Sequence, residues 1–127
     1  MVKTSLVSTD IESGSEVLEF LDRSKAKANV ALWAVLPEYE DWRLVLSGRR
    51  FDGPQVKNPY GLMNEALEAA GFSLHKTPII TILPMTDPFI KELRRIFGKS
   101  KSVEGMRLGG QMIGNRFIED AYVYRIS

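Results

Sequence analysis

Seven consecutive residues, Val30 to Leu36, are apolar, and no charge interrupts them. A strand sends alternate side chains to opposite faces, so this run has two ways to be satisfied. Either it is a strand covered on both sides, or one side is covered and the other meets a partner. Residues 37–41, opening at Pro37, form a polar turn. After it, Trp42, Leu44 and Leu46 alternate with Arg43, Val45 and Ser47, the pattern of a half-buried strand. So short a connection makes the two strands an antiparallel hairpin.

The other elements carry their own punctuation. Ser13 and Glu16 have capping-box spacing, and Val17, Leu18, Phe20 and Leu21 follow as an apolar stripe. A first helix is therefore expected to start near Ser13, with residues 1–14 a flexible N-terminal segment. Asn58-Pro59 opens a second helix, whose apolar face is Leu62, Met63, Ala66, Leu67 and Ala70 and whose stop is Gly71. Ile79 to Leu83 reads as a strand ended by Pro84. Asp87-Pro88 opens a third helix with Phe89, Ile90, Leu93, Ile96 and Phe97 on one face. Residues 106–126 read as a second hairpin, with Gly114-Asn115 as its tight turn. The expected fold is α+β, in the order α-ββ-α-β-α-ββ. It is a five-stranded mixed, mainly antiparallel sheet with about three helices, a single domain over residues 1–127.

Composition narrows the chemistry. With 127 residues the chain buries roughly two-thirds of its unfolded surface and needs no cross-links. It has no cysteine, which removes disulfides, thiolate metal sites and thiol nucleophiles together. Seventeen basic residues against sixteen acidic ones leave a net charge of +1, without the basic excess usual in proteins that wrap duplex nucleic acid. No apolar run reaches signal-peptide or membrane-spanning length, so the cytoplasm is the expected location.

Catalytic signals are sparse. His75 is the sole histidine and reads as an exposed loop residue. Gly98-Lys99-Ser100 imitates the end of a phosphate loop but leaves a helix instead of entering one, and Leu93 stands where the first glycine belongs. Gly105, Gly109, Gly110 and Gly114 serve bends in the hairpin. Glu38, Glu40 and Asp41 belong to a solvated turn, and the neighbours Glu119 and Asp120 point to opposite faces of a strand. No catalytic residue, metal or cofactor is assigned. An enzyme built on Asp120 and the nearby tyrosines survives as a third class.

Two surfaces compete for a binding role. Asp120, Tyr122, Tyr124 and Ile126 share one face of the last strand, a mixed surface suited to a partner protein or a second copy if the helices all lie on the other side. Under a helix, the same tyrosines are core with hydroxyls at its rim. The alternative is nucleic acid, held by Arg49, Arg50, Lys91, Arg94, Arg95, Lys99 and Lys101 with Tyr122 and Tyr124 as stacking platforms. A non-catalytic interaction module, partner-binding or regulatory and open to homodimer formation, is the leading expectation.

The hairpin from Ala31 to Val45, with Trp33, Pro37 and Trp42-Arg43-Leu44, and the ending from Ile118 to Arg125, with Tyr122 and Tyr124, resemble a group of short bacterial proteins of unassigned function. The resemblance implies a bacterial or mobile-element origin and a free-standing small domain. It carries no activity and no functional residue. By analogy, small accessory proteins of this kind often work by binding.

Overall fold

A computed structural model describes residues 6–24, 26–39, 41–73, 77–100 and 102–127. Among them are three α-helices: α1 (Ser8–Arg23), α2 (Pro59–Ala69) and α3 (Pro88–Phe97). The strands are β1 (Val30–Ala34), β2 (Arg43–Ser47), β3 (Ile80–Ile82), β4 (Arg107–Leu108), β5 (Gln111–Ile113), β6 (Arg116–Ile118) and β7 (Ala121–Ile126). Five of them form a mixed sheet in the order β3-β2-β1-β7-β4, and β5-β6 is a separate hairpin. β1 lies antiparallel to both β2 and β7, β4 is antiparallel to β7, and β2-β3 is the parallel pair. The expected α+β order and five-stranded mixed sheet are found.

The apolar run takes the first of its two options. β1 is central and every one of its residues is buried. Ala31 and Trp33 belong to a core with Val17, Leu18 and Leu21 of α1 and Met63 and Leu67 of α2. Val30, Leu32 and Ala34 join the opposite core, with Phe89, Ile90 and Leu93 of α3 and Ile113 and Ile118 of the hairpin. Helices therefore cover both faces. Of the two alternatives for the tyrosine face of β7, the covered one is found, because three helices and a hairpin are divided between the two sides.

Local chemistry sets the helix starts. Asn58 Oδ1 accepts from the N–H groups of Tyr60 and Gly61 at 3.1 and 3.3 Å, and Asp87 Oδ1 accepts from Phe89 N–H at 2.9 Å. In each case Pro occupies the first helical position, where its missing N–H costs nothing. Helix α1 differs from expectation. It begins at Ser8, and the carboxylate of Asp10 reaches back to Val7 N–H at 3.2 Å. Ser13 and Glu16 lie inside the helix, and so does the buried Gly14. A helix-interior glycine costs about 1 kcal/mol relative to alanine, and here it makes room for the sheet. An added Cβ at Gly14 would stand 2.3 Å from the Tyr124 hydroxyl.

The C-terminal segment is also more elaborate than one hairpin. Gly114 adopts φ +64° at the expected Gly114-Asn115 turn, which joins β5 to β6. Those strands leave the main sheet, however, and β4 and β7 pair around them. The exit depends on Gly109 and Gly110. A Cβ at Gly109 would stand 2.8 Å from the Glu119 carbonyl, and Gly110 needs φ +65°. No helix among the described residues is long and apolar enough to cross a membrane.

Candidate functional site

Three places concentrate the residues singled out above, and the structure treats each differently. At the first, Tyr122 and Tyr124 pack half-buried against the core beneath α1. The Tyr124 hydroxyl accepts from Trp33 Nε1 at 2.9 Å and donates to the Ile11 carbonyl at 2.6 Å. Burial pushes the phenol up to about 12, the Trp33 hydrogen bond opposes that shift, and Tyr122 and Asp10 add to it. The rings of Tyr122 and Tyr124 meet edge to face, with centroids 5.4 Å apart. Asp120 accepts from Arg107 Nη2 through both oxygens, at 3.0 and 2.9 Å, and also from Ala121 N–H. These residues stitch β7 to its neighbours. The tyrosine faces are not free platforms for bases.

The second place is the β5-β6 hairpin. Met112 and Phe117 are cross-strand partners, and both are exposed, at 63% and 46%. Their neighbours Ile113 and Ile118 are buried beneath the hairpin. Two contacts fix the hairpin to the body. Gly114 presses on the start of α3, where an added Cβ would stand 2.5 Å from the Pro88 carbonyl. Arg116, whose side chain is 14% exposed, donates through Nε to the Glu38 carboxylate at 3.0 and 3.3 Å and through Nη1 to Asp87 Oδ1 at 2.6 Å. Burial works against the guanidinium charge, but the Asp87 and Glu38 carboxylates outweigh it and hold the group above its ordinary range. One arginine thus ties the hairpin to the β1-β2 turn and to the residue that caps α3. Beside the hairpin lies a shallow groove of about 550 Å³ lined by Thr86, Pro88, Lys91, Glu92, Arg95 and Gly114.

At the third place, one end of the sheet, a cleft of about 400 Å³ is lined by Asp22, Lys27, Asn29, Arg49 and Arg50. Arg49 and Arg50 are exposed on a 3-10 turn, Arg49–Phe51, directly after β2. The residue before them, Gly48, lies so close to the preceding loop that a Cβ would stand 3.0 Å from the Lys27 carbonyl. Asn29 Oδ1 accepts from Arg49 N–H at 3.1 Å and fixes the turn.

The expected basic set does not gather as one group. Arg94 reaches the same sheet end, donating to the Ser127 carbonyl at 2.9 Å, and the Ser127 N–H donates to the Asn29 carbonyl at 3.0 Å. Lys91 and Arg95 line the hairpin groove instead, and Arg95 pairs with Glu92. Lys99 is exposed beyond α3. Lys101, His75 and Glu40 lie outside the described residues. Among the described residues no group of three His, Cys, Asp or Glu side chains is placed to hold a metal ion.

Sequence reasoning passed over Met112, Phe117 and Lys27. A signal existed for the first two: a two-residue Gly114-Asn115 turn makes residues 113 and 116 flank it, so 112 must face 117. Lys27 had no such signal, since only the packing of Gly48 brings it to the arginines. Compared with protein-family models, curated proteins and solved structures, the chain finds no match.

Proposed function

We propose that the chain is a non-catalytic interaction module that binds a protein partner through the β5-β6 hairpin. One observation carries this reading: Met112 and Phe117 stand in register on the outer face of a hairpin locked to the body by Gly114 and Arg116. An apolar pair held in a fixed geometry loses little conformational freedom on association, which favours its use as an anchor. Aromatic anchors with polar surroundings are the usual centres of binding energy at protein interfaces. A groove with Lys91, Glu92 and Arg95 adjoins the hairpin at Gly114. The sheet face that carries Tyr122 and Tyr124 is the weaker candidate, because α1 lies over it.

Met112→Asp and Phe117→Asp test the proposal. Each places a charge at the centre of the contact while leaving Ile113 and Ile118 in the core. Each variant should weaken partner binding by about tenfold or more, equivalent to about 1.4 kcal/mol or more, with thermal stability nearly unchanged. Sedimentation equilibrium of both proteins shows in the same experiment whether the partner is a second copy. Undiminished binding by the two variants would contradict the reading.

A further inference from the structure

Five arginines of the described residues differ from the cations at the sheet end. Arg23, Arg95, Arg107, Arg116 and Arg125 each pair with a carboxylate, and the last three fasten elements distant in the chain to one another. Around the cleft at the sheet end, Lys27, Arg49 and Arg50 have no carboxylate partner among the described residues. Asp22, the one acid among the described residues that line the cleft, is already held by Arg125, which donates to its two oxygens at 3.1 and 2.8 Å. Arg125 is anchored in turn to the Ala28 carbonyl at 3.0 Å. Glu65 lines an adjacent hollow with Arg50 without an ion pair to it, and Asp52, at the end of the same turn, accepts from Met85 N–H instead.

Three like charges brought together in this way repel one another, and ordinary folding gains nothing from the arrangement. The close contact of Gly48 with the Lys27 backbone and the Asn29 bond to Arg49 nevertheless hold it in place. We propose that this cleft binds a phosphate group, with Arg49 and Arg50 supplying forked donors and Lys27 a point charge. Among the described residues no aromatic side chain lines the cleft, so it recognises the charge and oxygens of a phosphate and does not stack bases. Arg94, joined to Asn29 through Ser127, extends the same positive edge toward α3. A phosphodiester strand and a small phosphate share this chemistry. The inference is independent of the hairpin, which contributes none of these residues.

Two probes separate the sources. The first is a labelled single-stranded oligonucleotide followed by fluorescence anisotropy across a salt series. The second is inorganic phosphate followed by amide shifts of Asn29 and Arg49. With the oligonucleotide, the logarithm of affinity should fall against the logarithm of salt with a slope of about −2, as expected for three neutralised phosphates on a single strand. Arg49→Glu with Arg50→Glu should lower affinity by about tenfold or more, while Arg43→Glu, at the other end of β2, should leave it unchanged. Saturable phosphate shifts at Asn29 and Arg49 without oligonucleotide binding would uphold the cleft and assign it to a small phosphate. Binding of neither probe, or equal loss in Arg43→Glu, would overturn the proposal. Both arginines are exposed, and unchanged circular dichroism of the double variant confirms that the fold survives.

Discussion

The indole N–H of Trp33 donates to the hydroxyl of Tyr124 at 2.9 Å, joining residues 91 positions apart in the chain, and that hydroxyl donates in turn to the Ile11 carbonyl. A single oxygen thereby links the central strand, its neighbour β7 and helix α1. Tyr124→Phe removes the oxygen and leaves the Trp33 donor without its partner, while the Ile11 carbonyl keeps only its bond within α1. The variant should lose about 1–3 kcal/mol in urea unfolding without a change of fold.

The same hydroxyl predicts a pH effect. Burial raises the phenol to about 12, while in the unfolded chain it titrates near its ordinary value of 10. Below pH 10 both states keep the proton and this contribution is intact. Between about pH 10 and 12 the unfolded state gives up its proton first, so stability falls as pH rises. Tyrosinate absorbance should show one phenol titrating near the top of that window. It should be missing from Tyr124→Phe, whose stability should fall less steeply there.

Gly14→Ala should destabilise, although alanine is the better helix former by about 1 kcal/mol. The new methyl would meet the Tyr124 hydroxyl at 2.3 Å and come within 2.9 Å of Trp33 Nε1, forcing apart the hydrogen-bonded trio. Overpacking of this kind costs about 1–3 kcal/mol, and a lowered thermal midpoint would register the balance. A raised midpoint would mean that α1 shifts freely on the sheet.

Arg116→Met should loosen the hairpin. It leaves Asp87, 12% exposed at the side chain, without its cation, at a cost of about 3 kcal/mol, the low end for breaking a buried pair. Limited proteolysis is the direct readout. Cleavage between β4 and β7 should be accelerated in Arg116→Met, while α1 and α2 stay resistant.

The sheet and two of the helices were legible because each has a local cause. Residues 30–36 can be satisfied only by burial of both faces, and Asn58-Pro59 and Asp87-Pro88 carry caps that the structure uses as written. The start of α1 was hidden because Ser13 and Glu16 have capping-box spacing inside a helix whose true start, at Ser8, is marked by Asp10 reaching back to Val7 N–H. The departure of β5-β6 from the main sheet was hidden because Gly109 answers to the Glu119 carbonyl opposite it. The layering also decided the candidate sites. Which face of β7 is open depends on the docking of α1, and periodicity within β7 cannot report it. The basic residues were visible singly, but their division between the sheet end and the hairpin groove is set by Gly48, Asn29 and Ser127, at positions far apart in the sequence.

Affinity capture from a nuclease-treated extract of the native host, run in parallel with the wild-type chain and with Met112→Asp/Phe117→Asp, tests the interaction module most directly. The account predicts a protein recovered in near-stoichiometric amount by the wild type, or a second copy of the chain itself, with recovery reduced by about tenfold or more in the variant. Equal recovery by both proteins, with the variant folded, would contradict it.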